Sequence, residues 1–340
     1  MRGSASWIPA TAASPDWRWT DRLPMKTRIC ILYLVTSVLL LPGVCAWAGS
    51  GGAYSYWSAT MGPGAVPVMN VIGFTQDHEI QKKETLLDIA RNYGLGFNEI
   101  SLRHPEMDPW TPPAGKTIEI PTTWVLPYTR HEAVVVNIPE MRLYRFYPEH
   151  QMVKTYPLGI GRQGFKTPIT DTKVVTRIEK PAWTVPENTR EKVGRAIVPP
   201  GPANPLGEYW VGLADGHIGI HGTNFPWGIG RQVSQGCLRM YPEHIEMFFH
   251  EVSVDTLVEI VYKPVKVGIR DRQIFLEVHP DIHDKISDMY RHTESLLKSR
   301  ALLAGADPER VRAAVAAKRG IPTYVGQVTN HNIHEKGGEQ

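Results

Sequence analysis

Residues 221–240 read HGTNFPWGIGRQVSQGCLRM, with a histidine at one end and a cysteine near the other. A thiol becomes a strong nucleophile when a base takes its proton, and an imidazole can do this and later hand the proton to a leaving group. His221 and Cys237 are such a pair. Attack on a carbonyl also needs backbone N–H groups aimed at the developing oxyanion. Gly236, immediately before Cys237, lets the main chain come close. Acyl transfer through a Cys237 thioester is the chemistry this arrangement suggests. A zinc site is the competing use of His217, His221 and Cys237. No fourth ligand stands at metal-like spacing, so neither a metal nor another cofactor is expected.

The pair needs a strand end and a loop to present it. Gly216-His-Ile-Gly-Ile-His is strand-like, which puts His217, Gly219 and His221 on one face and Ile218 and Ile220 on the other. A strand end facing a glycine-rich loop is where rigid scaffolds present catalytic side chains. Around it, Ala133–Ile138, Arg142–Tyr147, Lys173–Ile178, Tyr209–Leu213 and Leu257–Tyr262 alternate or run β-branched between Gly and Pro. They predict a mostly β domain over residues 131–263. His244 and His250 fall on or beside a predicted helix, Glu243–Phe249, and are expected at the surface.

Composition bounds the remainder. The chain has 340 residues, 42% hydrophobic and 21% charged, enough for two domains or for one with appendages. The formal charge is +3, but residues 1–48 carry five Lys/Arg against two acids, so the rest is balanced. That balance gives no footing to a nucleic-acid partner or a polybasic membrane patch. Met25-Lys-Thr-Arg, the apolar run Ile29–Leu41 and Ala46-Trp-Ala read as a secretory signal peptide cleaved before Gly49, with translation starting at Met25 rather than Met1. An uncleaved membrane anchor is the competing reading, and the run is short for a bilayer span. Cys30 and Cys45 lie in this leader, which leaves Cys237 as the single thiol of the mature chain and no internal disulfide.

Residues 49–70 are Gly/Ser/Ala-rich at first and are expected to be a linker. Over 71–123 a small module follows: Leu86, Ile89, Ala90 and Tyr93 share a helix face closed by Gly94, Phe97–Arg103 fits a second helix, and Lys116–Ile120 is strand-like. Trp110, in the loop between, is of a type that stacks on sugars or caps a core. After Pro264 helices are expected over Ile282–Leu302 and from Asp307-Pro308 to Gly320, making residues 264–340 a helical C-terminal extension with a tail.

HGTN…VSQGCLRM resembles the signature of the L,D-transpeptidase (YkuD-type) catalytic domain, HGT followed by S-x-G-C-[IL]-R. The likeness continues through Gly159–Ile169 and Val198–Gly207. The 71–123 module, with ETLLDIARNYGL early and PAGKTIEIP late, resembles a LysM module, although Lys83 stands where such modules often have Gly. Together they are similar to the periplasmic Gram-negative members.

The resemblance implies a YkuD-like β-sandwich with Cys237 as nucleophile, His221 as base and acid, and the Gly222 carbonyl orienting the imidazole. It also implies an oxyanion hole from the amides around Gln235, Gly236 and Cys237, with Ser234 and Arg239 shaping the site and Arg239 turned to a substrate carboxylate. The partners it implies are peptidoglycan stem peptides and, for the LysM-like module, N-acetylglucosamine-containing glycan. The reaction implied is scission of the diaminopimelate–D-Ala bond of a tetrapeptide stem and transfer to a neighbouring stem or to an anchored outer-membrane lipoprotein. Acylation by carbapenems follows from the same thioester chemistry. An L,D-carboxypeptidase using water and a wall-binding scaffold with a dead site are the alternatives. Many members carry His where this chain has Gln235, so His221 is the one imidazole inside the motif.

Overall fold

The computed structural model describes residues 52–58, 67–214, 216 and 218–328. The segment read as a leader and signal peptide, with Cys30 and Cys45, the tail beyond Val328, and His217 lie outside the described residues.

Val134–Asn137 is a β-branched run without polar alternation because both of its faces are covered. Val134 and Val136 enter one apolar cluster and Val135 enters another. This strand sits inside a curled sheet of nine, in the order Ala53–Ser55, Met152–Pro157, Arg142–Tyr147, Val134–Asn137, Leu257–Val261, Thr170–Glu179, Tyr209–Leu213, Gly219–His221 and Leu238–Arg239. Pairing is antiparallel except between Val134–Asn137 and Leu257–Val261, and between Gly219–His221 and Leu238–Arg239. The expected mostly β architecture is what the chain adopts. On one face the sheet packs Leu143, Ile220 and Leu238 against Ile245, Phe248 and Phe249 of the helix Pro242–Glu251. On the other, Tyr144, Phe146 and Val153 meet the apolar residues of the 71–123 module.

That module has the strand, helix, helix, strand order read from its sequence. Gln76–Glu79 pairs with Thr117–Ile120, and Leu86–Asn92 and Phe97–Arg103 lie between them. Thr85 starts the first helix by a reciprocal cap: the Asp88 amide donates to Thr85 Oγ1 at 3.1 Å, and the Thr85 amide to Asp88 Oδ2 at 3.0 Å. Lys83, where a Gly was the commoner expectation, has φ of 68°, the left-handed region that glycine adopts most easily. The module is seated on the sheet by a buried ion pair, with Arg142 Nη2 2.6 Å from Glu99 Oε2. The same guanidinium donates to the Gly94 carbonyl and lies 4.4 Å from the Trp124 ring centroid.

Two expectations change. Ala53–Ser55, inside the stretch read as a linker, is hydrogen-bonded along Met152–Lys154 as the sheet's edge strand, and Tyr56 is buried against Phe146. The C-terminal region is not purely helical: Val265–Arg270, Gln273–Val278 and Thr323–Gln327 form an antiparallel sheet. The helices Met289–Ser299 and Pro308–Ala317 cover it. The second of these helices opens at Asp307, whose carboxylate accepts from the Glu309 and Arg310 amides.

Three parts of the chain meet at a dry ionic junction. Lys266 Nζ lies 2.7 Å from Glu140 Oε1 and 2.8 Å from Glu277 Oε1, and His279 Nε2 lies 2.7 Å from Glu277 Oε1. Tyr144 donates to Glu140, and the Val125 amide, in the strand Thr123–Val125 that follows the module, donates to Glu277 Oε2. Glu140, Glu277 and His279 are the one metal-like grouping among the described residues, but the Lys266 ammonium lies within bonding distance of both carboxylates. Burial pushes the Glu140 carboxyl up, and the Lys266 and His279 charges more than offset it, holding it below the ordinary carboxylate range. No helix among the described residues is long and apolar enough to cross a membrane.

Candidate active site

His221 ends the strand Gly219–His221, and Cys237 directly precedes the strand Leu238–Arg239. These two strands run parallel with Ile220 opposite Leu238 and His221 opposite Arg239. Ile220 and Leu238 therefore share the core face, while Cys237, His221 and Arg239 share the other. That other face lines a cleft of about 900 Å³ holding Cys237, His221, Ser234, Gln235 and Arg239. The strand is shorter than its sequence suggested, beginning at Gly219 instead of Gly216. Glycine is required at 219, since a Cβ there would lie 2.5 Å from the Trp210 ring. Trp210 pairs with His221 in the sheet and stacks on its imidazole at 5.6 Å between centroids.

His221 Nδ1 lies 2.6 Å from the Gly222 carbonyl oxygen. A carbonyl only accepts, so Nδ1 carries the proton and Nε2 keeps its lone pair. Burial lowers the imidazole pKa to about 4, with the Arg239 charge acting in the same direction and the Gly222 and Leu206 carbonyls against it. Burial pushes the Cys237 thiol up, opposed by a hydrogen bond with the Gly219 backbone and by the Arg239 charge. Neutral imidazole and neutral thiol are the resting forms at neutral pH.

The motif loop is braced from inside. Ser234 Oγ donates to the Cys237 carbonyl at 2.6 Å and accepts from the Gly236 amide at 3.1 Å. Gly236 has φ of 109°, a conformation that L side chains rarely adopt. Its carbonyl accepts from Thr167 Oγ1 at 2.9 Å, and Thr167 in turn accepts from the Gly161 amide. Gln235 Nε2 donates to Thr189 Oγ1 at 3.2 Å. Arg239 is mostly withdrawn from solvent, its Nε lacks a hydrogen-bond partner among the described residues, and burial lowers its pKa.

Sequence reading missed the roof. Residues 181–198, which it assigned to no element, fold as a hood with the short strands Trp183–Thr184 and Ile197–Val198 and the helix Glu187–Val193. Trp183, Thr189 and Lys192 from it line the cleft, as does Arg162 from the loop after Ile160–Gly161. The hood helix buries no residue and shows no apolar periodicity, so its sequence carried little signal. His250 is exposed as expected, whereas His244 is buried between the Tyr156 and Tyr241 rings, on the core face of its helix. The alternative base His217 lies outside the described residues.

The family model for YkuD, the L,D-transpeptidase catalytic domain, matches residues 131–260. The probable L,D-transpeptidase ErfK/SrfK of Escherichia coli K12 is 35% identical over 263 residues, covering 73% of this chain and 84% of its own. The chain belongs to the L,D-transpeptidase family. The probable L,D-transpeptidase YcfS of the same strain is 34% identical over 272 residues, 75% of this chain and 85% of that one. YbiS of that strain, also a probable L,D-transpeptidase, is 37% identical over 199 residues, 56% of this chain and 64% of its own. As an L,D-transpeptidase the protein is an enzyme of a cysteine-dependent acyltransferase family.

Proposed function

We propose that Cys237 attacks the carbonyl that joins diaminopimelate to the terminal D-Ala of a peptidoglycan tetrapeptide stem. As the S–C bond forms, the thiol proton passes to His221 Nε2. The tetrahedral intermediate collapses by breaking the C–N bond, and His221 returns the proton to the departing D-Ala amine. A thioester remains. An acceptor amine then attacks the thioester carbonyl, giving its proton to His221, which restores the Cys237 thiol. The Gly236 amide is taken up by Ser234 Oγ, so the oxyanion role falls to the flanking amides of Gln235 and Cys237. Arg239, with its unpartnered Nε, is the residue suited to a carboxylate of the donor.

The observation that carries this reading is the 2.6 Å hold of the Gly222 carbonyl on His221 Nδ1, which fixes the basic tautomer in the cleft that contains Cys237. The acceptor is a neighbouring stem or the lysine of an anchored lipoprotein, at the wall side of the periplasm. The 71–123 module is proposed to hold the enzyme on glycan, with the exposed Trp110 as its stacking platform. Incubation with a purified disaccharide tetrapeptide, followed by mass analysis, tests the chemistry. Release of D-Ala with a crosslinked dimer is the expected result. Tripeptide alone would make the enzyme a carboxypeptidase, and no release would make it a scaffold.

A further inference from the structure

We infer that Arg162 and Lys192 are specificity-determining residues that select donor stems whose side carboxylates are free, over stems in which they are amidated. The inference rests on the acyl-transfer reading above. The described lining of the cleft contains three Arg/Lys, namely Arg162, Lys192 and Arg239, and no Asp or Glu. A diaminopimelate tetrapeptide carries carboxylates on its D-Glu, its diaminopimelate and its terminal D-Ala. One guanidinium, Arg239, cannot serve them all, and it sits beside the thiol in the sheet. The other two cations stand further out on two different elements.

Both elements are tied to the catalytic loop. Arg162 donates its backbone amide to the Ser234 carbonyl at 3.0 Å, and its guanidinium lies 4.8 Å from the Phe165 ring centroid, which orients the planar fork. The loop that carries Arg162 is fixed again by Thr167, between Gly161 and Gly236. Lys192 lies on the hood helix three residues after Thr189, on the same helix face. Gln235 holds Thr189 from the motif side, and Thr189 and Lys192 of this otherwise exposed helix both line the cleft that contains Cys237. The residue that departs from the commoner His of the family thus becomes the hood's anchor.

Arg162 and Lys192 are exposed, so each contact with a carboxylate is screened and moderate in strength. The test is calorimetric binding to the full chain carrying Cys237→Ala, which cannot turn over. The ligands are the tetrapeptide with free side carboxylates and its analogue with both side carboxylates amidated. The parent should bind the free acid about tenfold more tightly, and Arg162→Gln or Lys192→Gln should each lose about threefold to tenfold on the acid and nothing on the amide. Thr189→Val should weaken the acid selectively and by less, and Lys192→Arg should restore it. Equal losses on both peptides, or no loss on either, would overturn the inference. D-Ala release by the enzyme with Cys237 intact is a separate readout. Selective binding without release would keep the carboxylate site and refute acyl transfer, whereas equal binding with release would do the reverse.

Discussion

Two clusters of titratable side chains are withdrawn from solvent in this protein, and they are built on opposite plans. At the junction of Glu140, Lys266, Glu277 and His279 the carboxylates are matched by an ammonium, a phenol, an amide and an imidazole. At the cleft, Arg239 Nε has no partner among the described residues, His221 keeps a lone pair and the raised pKa of Cys237 holds it as a thiol. In the first arrangement both carboxylates are matched, and among the described residues His279 Nδ1 is the one buried polar atom of the four side chains left without a partner. The second leaves Arg239 and His221 desolvated and incompletely paired among the described residues, which strengthens any charge that develops beside them. Burial of ionisable groups alone does not mark a site; unfinished pairing in a cleft does.

The comparison predicts that the two clusters fail differently when cut. Cys237→Ala should keep the unfolding midpoint of the parent and abolish D-Ala release, a loss of about three orders of magnitude or more. The same variant should gain no mass from a carbapenem, where the parent gains one adduct. His221→Ala should keep the thiol but slow acylation by about 10²- to 10⁴-fold, measured by stopped-flow or by mass over time. Acylation at the parent rate would move the base elsewhere, with His217 the first residue to test.

Cutting the junction should leave the chemistry and remove stability. Lys266→Met strands two buried carboxylates and should cost about 3–5 kcal/mol in urea unfolding, while kcat of the folded fraction stays within about twofold. Adding Glu140→Gln and Glu277→Gln should recover much of that loss. A Lys266→Met enzyme with parental stability but impaired kcat would erase the distinction between the clusters.

The smallest effect is that of replacing one buried histidine, and it concerns pH. Burial lowers the His221 and His244 pKa values to about 4, against about 6.5 for an unfolded histidine. Between those values the unfolded chain binds protons that the folded chain refuses. Stability is therefore full above about pH 6.5 and is lost as pH falls toward 4, by about 3 kcal/mol for each residue. Neither ring nitrogen of His244 has a hydrogen-bond partner among the described residues, so His244→Phe should halve this acid slope and raise stability at pH 7 by about 1 kcal/mol. An unchanged slope between pH 7 and 4.5 would assign the acid sensitivity to other groups.

Much of this was legible in the chain. The alternation of Arg142–Tyr147 and Tyr209–Leu213 gave strands at those bounds, and Phe97–Arg103 is the helix it was expected to be. The Val265–Arg270 and Gln273–Val278 hairpin was missed. Its two-residue turn is Asp271-Arg272, with φ of 51° and 62°, in place of the Asn-Gly or Asp-Gly that usually announces such a turn. Ala53–Ser55 was hidden by its length of three residues in a Gly/Ser-rich stretch, where pairing with Met152–Lys154 supplies the order that the segment itself lacks.

The sequence by itself singled out Cys237 and His221 as the proposed reacting pair, because a thiol, an imidazole and a glycine beside the thiol come from one contiguous segment. It also determined strands such as Arg142–Tyr147 and Tyr209–Leu213, whose pattern is written locally. Tertiary structure alone decided what surrounds them: that Arg142 and Glu99 are buried together, that His244 faces two rings in the core, that the hood sits over Cys237, and that Gln235 holds it there. Those outcomes depend on pairing and solvent exclusion between segments far apart in the chain. A charged or polar side chain carries no mark of which partner will desolvate it.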